Sequence, residues 1–317
     1  MSTKPWAIHF GFGGNQLVHW GGHVEARFPA AGTLATPWRW RLAGAENLGQ
    51  WLLSLRPSLS AGHAIDLRNA PSEARWVQLT PGNEVQQRLV AARTNAPGNE
   101  GTVLVIGDSM NVQGRHQLAS QTPGAIAVEA VDLRDLVNFA RRFDLQASDA
   151  LQNLAEFASS MMTGVGSSNL ATRVGSLRSG RARTPPTPIE WCAVTFDTER
   201  TMHRALQLVN ALTDHAGTRV YRPEILYCCR SAMQAVINGG QDFLSAALRA
   251  RERNRHVGHP LPRRSVGSTL LLKGLEADIA VVLQPETMTA QNLYVAFTRG
   301  AKGLVVCSQT PVLSAAR

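Results

Sequence analysis

Lys273, Gly274, Leu275 and Glu276 close an apolar run, Ser268 to Leu272, and set a cation, a flexible joint and a carboxylate within four residues. A glycine there lets backbone approach a ligand, and the flanking charges can hold its polar ends, which is nucleotide-site chemistry. The alternative is a strand-to-loop turn with two solvated charges. Two other constellations fail on their surroundings. In "VLVIGDSMN", Ser109 follows a strand-like run as a nucleophilic serine could, but the chain has no Asp-x-x-His to supply base and orienter. His19 and His23 have a metal-compatible spacing, but they sit in "HWGGH", where two glycines disfavour a helix.

These residues need elements to hold them. "ARWVQL", "GTVLVIGDS" and "AIAVEAVD" read as strands in the first half, and "VGSTLLL", "DIAVVL" and "GLVVCS" in the last quarter. The second is almost continuously apolar, as in a strand covered on both faces. Leu48, Trp51, Leu52 and Leu55 share one helical face, as do Leu133, Leu136, Val137 and Ala140. Alternating strands and helices predict an α/β fold with a mainly parallel sheet. From about 146 to 190 a helical segment runs into Gly/Ser/Arg-rich and then Pro-rich sequence, which reads as a mobile basic linker or loop. Residues 198–258 read as largely helical, with Pro223 in the first turn of one helix.

With 317 residues, 44% hydrophobic and 17% charged, the chain can bury a core of one large or two modest domains. The net charge of +9 favours a polyanionic partner, nucleic acid first. Cys192, Cys228, Cys229 and Cys307 form neither a CxxC pair nor a disulfide framework, which suits a reducing cytoplasm. The N-terminus has no signal-like apolar core, and no apolar run approaches the roughly 20 residues that span a bilayer. A cytoplasmic chain without a membrane partner is expected.

Four segments now fall into order. "STLLLKGLEA" resembles motif V of the UvrD/Rep-like superfamily 1 DNA helicases, roughly T-x-H-x-x-K-G-L-E-F. "LYVAFTRG" matches seven of eight positions of motif VI, L-Y-V-A-x-T-R-A. "LATPWRW" holds the aromatic-Arg pair of motif IV, here Trp38-Arg39, and "WAIHFGFGGN" keeps part of motif III. The resemblance covers the two ends of the chain well and the middle poorly, and motifs V and VI are its specific part.

The resemblance implies a RecA-like, P-loop NTPase-type sheet with a largely helical insertion. It places a remnant of the first RecA-like domain at 1–33, the second at 34–145 and 260–317, and the basic insertion at 146–259. It implies ATP and Mg²⁺ as cofactors, and translocation on single-stranded DNA with 3′-to-5′ unwinding in the complete enzyme. Arg299 would be the arginine finger and Arg39 a second γ-phosphate contact. Such a finger stabilises charge developing in phosphoryl transfer. Trp38 would stack on adenine, or else pack in the core. Glu276 would accept from the ribose hydroxyls beside Gly274. Ser268, Thr269, Phe10 and Phe12 lie where the family contacts DNA, although the two phenylalanines suit a core equally well.

The departures are as informative. The dipeptide Gly-Lys does not occur, so no G-x-x-x-x-G-K-[ST] loop cradles phosphates, and no Asp-Glu pair of the motif II kind holds Mg²⁺. Trp6 stands where the family senses γ-phosphate with Gln, and His9 looks like an extra residue. Leu270 and Ala277 replace the His and Phe of motif V. The expectation is the second half of a helicase-like motor. It should be inactive as an isolated chain, and its partners are single-stranded or partly duplex DNA and a separate P-loop-bearing chain. The alternative is a non-catalytic nucleic-acid-binding protein or truncated remnant on the same scaffold. It would use Arg249, Arg251, Arg253, Arg255, Arg263, Arg264 and the "RSGRAR" stretch.

Overall fold

A computed structural model of the chain describes residues 27–28, 35–98, 100–239, 241–255 and 262–316. Strands β2 (Ala74–Gln78), β3 (Val103–Gly107), β4 (Ala125–Ala127), β5 (Arg264–Ser268), β6 (Ala277–Val282) and β7 (Gly300–Ser308) form one sheet in the order β2-β7-β6-β3-β5-β4. Every pairing from β2 across to β5 is parallel. Val105 of β3 sits level with Val266 of β5 and Val281 of β6, and all five β3 residues are buried. That is the condition predicted by its unbroken apolar run. A two-stranded antiparallel ribbon joins β1 (Ile65–Asp66) to β8 (Val312–Leu313).

The chain divides into two compact units, residues 1–122 with 263–317, and residues 123–262. The first unit holds the strands from β2 to β5 in sheet order. Around them are helices α1 (Trp38–Leu42), α2 (Glu46–Ser60), α3 (Glu84–Ala92), α4 (Val112–Gln121) and α12 (Ala290–Phe297). Helix α2 buries Leu48, Leu52, Leu55 and Leu59 along one stripe, and its Trp51 stacks on Phe297 of α12 with ring centroids 6.3 Å apart.

The second unit is helical: α5 (Arg134–Arg142), α6 (Ala150–Ser159), α7 (Ser167–Arg178), α8 (Pro188–Glu199), α9 (Met202–Asp214), α10 (Pro223–Ile237) and α11 (Phe243–Asn254). They share one apolar core that includes Leu154, Phe196, Leu208 and Met233. Leu133, Leu136 and Ala140 of the α5 segment belong to this core. The units therefore part at Thr122/Pro123 and at Pro262/Arg263.

Two sequence expectations are corrected. The basic stretch read as a mobile linker contains α7 and the start of α8. Leu170 and Val174 of α7 are buried one turn apart, and Arg173 ties α7 to the Thr184 carbonyl at 2.7 Å and to Glu190 at 3.1 Å. The residues that looked like linker instead start and stop helices, with Thr187 and Glu190 forming a capping box ahead of α8. The second correction concerns "VGSTLLL". Strand β5 ends at Ser268, and Thr269 to Gly274 form turns in which the Leu272 N–H donates to the Ser268 carbonyl at 3.0 Å. Leu272 folds back onto β5, where a Cβ on Gly267 would lie 2.8 Å from its Cγ.

Candidate nucleotide-phosphate site

The site begins at Trp40. Its indole N–H donates to the Gly300 carbonyl at 2.9 Å and fixes α1 beside the start of β7. Helix α1 also lies hard against α2, since a Cβ on Gly49 would meet Pro37 Cβ at 2.7 Å and Trp40 Cβ at 2.8 Å. This anchoring aims the neighbouring Arg39. Its guanidinium lies 4.0 Å from the centroid of the Trp40 ring, an ordinary cation–π distance. Arg39 donates to Glu276 Oε1 at 2.6 Å across a sequence separation of 237 residues, and also to the Thr298 carbonyl. Its Nε is buried without a hydrogen-bond partner.

Glu276 immediately precedes β6 and Arg299 immediately precedes β7. The register brings these strand starts together, for the Ala277 N–H donates to the Arg299 carbonyl at 3.1 Å. Gly300 permits the approach, since a Cβ there would lie 2.8 Å from the backbone nitrogen of Ala280 in β6. Arg299 donates through Nε to the Val295 carbonyl at 3.0 Å, through Nη1 to the Leu275 carbonyl at 3.1 Å, and through Nη2 to Thr298 Oγ1 at 3.4 Å. It thus closes the C-terminal end of α12 and ties it to the Lys-Gly-Leu-Glu segment. Gly274 has φ +84°, a conformation other residues rarely adopt, and nothing crowds its Cα.

The structure therefore gathers Arg39, Glu276 and Arg299, with Gly274 two positions before Glu276, at the N-terminal ends of β6 and β7. Burial depresses the Arg299 pKa, the Arg39 charge lowers it further, and Glu276 partly offsets both. Two guanidinium groups against one carboxylate leave an excess positive charge, which an arriving anion would balance. The arrangement differs from a free finger in one respect. Arg299 is half-buried and its donors already serve the protein.

Trp38 does not pack in the core. It is 60% exposed, with the Arg41 guanidinium 5.4 Å from its ring centroid. The anchoring ring is instead the half-buried Trp40, two positions on, which sequence reasoning passed over, although the "WRW" pattern around Arg39 carried the signal. Ser268 and Thr269 stand at the C-terminal end of β5, opposite the Arg39 cluster in this parallel sheet. They are only 4% and 1% exposed, so neither side chain is displayed to a ligand. Phe10, Phe12, His19 and His23 lie outside the described residues.

Among the described residues no group of three or more His, Cys, Asp or Glu side chains gathers as a metal site. Glu276 is the single carboxylate in the cluster and is engaged by Arg39. This set does not fit Mg²⁺, which takes oxygen ligands in octahedral geometry. Among the described residues no helix is long and apolar enough to cross a membrane, and the four thiols are free, with those of Cys229 and Cys307 pushed up to about 12 by burial. No protein-family model and no curated protein matches the chain.

Proposed function

We propose that this chain supplies the second half of a split nucleotide site in a UvrD-like, ATP-dependent DNA translocase and helicase of the cytoplasm. The observation that carries the reading is the union of Arg39, Glu276 and Arg299. The residues with motif IV, V and VI resemblance, separated by up to 260 positions, meet at one end of a parallel sheet. In this reading Arg39 and Arg299 face the phosphates of ATP. Trp38, exposed beside Arg39, offers a ring for the adenine. Glu276 exchanges its pairing with Arg39 for the ribose hydroxyls, and Gly274 lets backbone approach. ATP supplies the phosphoryl group whose transfer drives movement on single-stranded DNA. The Mg²⁺ belongs with carboxylates that this set lacks.

The sequence carries no P-loop, so the isolated chain is predicted to hydrolyse no ATP, and its complement is a separate P-loop-bearing chain. DNA-stimulated ATPase assays on the purified chain test this. Background turnover is expected with the wild-type chain and with Arg299→Ala alike. Turnover by the chain alone that Arg299→Ala removes would sink the half-site reading.

A further inference from the structure

A second recess lies at the opposite end of the sheet, where the C-terminal ends of β3 and β6 open onto a cleft of about 230 Å³. Its place follows from topology. β3 and β6 are parallel neighbours, and their continuations diverge. The chain leaves β3 through Asp108 into α4, which packs toward β5, and leaves β6 through Gln284 toward α12 and β7 on the other side. Adjacent strands with diverging continuations form a topological switch point, and open α/β sheets bind ligands in the crevice outside the carboxyl ends there.

The walls are fixed and polar. Arg88 of α3 donates from Nε to the Leu283 carbonyl at 3.1 Å, which holds its guanidinium at the cleft and leaves the terminal nitrogens for an anion. Arg115, only 7% exposed, donates to the carbonyls of Asp108 and Ser109 and shapes the loop between β3 and α4. The Asp108 N–H is held by Gln284 Oε1 at 3.0 Å, which ties the two strand ends together. Asp108 Oδ1 accepts from the Met110 N–H at 2.8 Å, and its other oxygen remains for a hydroxyl donor. Leu89 and Leu118 give apolar wall.

We propose that this cleft binds a small phosphorylated, hydroxyl-bearing ligand of the nucleoside monophosphate class. Arg88 takes the phosphate, Asp108 a sugar hydroxyl, and the leucines one face of the base. The proposal uses none of the residues of the Arg39 cluster and stands or falls without it.

Calorimetric titration of the full chain with adenosine and uridine monophosphates tests it, using Arg88→Gln, Gln117→Trp and Glu276→Ala. Gln117 is exposed on α4 and lines the cleft, so tryptophan there narrows it without entering the core. The expected result is saturable binding by at least one monophosphate, weakened about tenfold or more by Arg88→Gln, in line with loss of a charge-assisted hydrogen bond. Gln117→Trp should weaken it too, and in the Glu276→Ala background, where the Arg39 cluster has lost its carboxylate, binding that Arg88→Gln weakens should persist. No binding up to about 10 mM ligand, an affinity too weak to be specific, would overturn the proposal. So would binding that only Glu276→Ala removes, or a single-stranded oligonucleotide occupying the cleft where the monophosphates do not.

Discussion

Asp278 shows how single side chains keep the β6 start in place. Its Oδ1 pairs with Lys302 Nζ at 2.7 Å, and its Oδ2 accepts from the Thr102 N–H at 2.8 Å. Partial burial alone would raise its pKa, but the Lys302 and Thr102 bonds outweigh that and hold it below the ordinary 3.8. A depressed folded value means that Asp278 stabilises the fold fully above pH 3.8. That contribution is lost as pH falls through the lowered value. Asp278→Asn should therefore cost about 1 kcal/mol near neutral pH, and the gap to wild type should narrow below pH 3.8. Thermal melts across that range would refute the assignment if the gap stayed constant. At the same scale, Trp40→Phe keeps an aromatic ring beside Arg39 but removes the bond to Gly300 and part of the packing, so a loss of about 1 kcal/mol or more in denaturant melts is expected. No loss would mean that packing alone seats α1.

At the scale of elements, the helical unit is stapled by a buried ionic cluster. Arg222, at the N-cap of α10, donates to Glu129 at 2.6 and 3.0 Å, to Asp135 of α5 at 2.7 Å and to the Ser160 carbonyl at 3.2 Å. The side chains of Arg222 and Glu129 are 3% and 6% exposed, whereas that of Asp135 is 38% exposed. Arg222→Ala takes the guanidinium from a buried carboxylate and should cost about 3–5 kcal/mol. Asp135→Asn should cost about 1 kcal/mol or less, because its site is partly solvated. Equal destabilisation by the two changes would contradict this. None of this was legible in the sequence, since Arg222, Glu129 and Asp135 are ordinary charges until the fold brings them together. Helix α7 was hidden for a related reason. Its Ser, Gly and Arg content reads as linker, and only burial of Leu170 and Val174 shows the helical face.

Across the whole molecule, legibility followed locality. β3 and β6 were readable because a strand buried on both faces writes a continuous apolar run. The Leu270–Leu272 run misled because the chain turns after Ser268 and Leu272 packs back on β5 instead of extending it, a tertiary choice with no periodic signal. Arg39, Glu276 and Arg299 were found through short motifs, but their meeting depends on strand order and on Trp40, which no spacing encodes. The cleft at β3 and β6 had a local sign in "VLVIGDSMN", read for a serine nucleophile when its Asp108 and the helix cap at Asn111 were the parts that matter.

The half-site reading makes a direct demand on the isolated chain, that ATP, although weakly held, must touch the Arg39 cluster. Amide chemical shifts followed during a MgATP titration of the wild-type chain and Glu276→Ala provide the most direct test. The account predicts fast-exchange shifts centred on Arg39, Gly274, Glu276 and Arg299, with an affinity of about 1 mM and weaker in the variant. Unmoved amides at those four positions, or shifts that Glu276→Ala leaves intact, would contradict it.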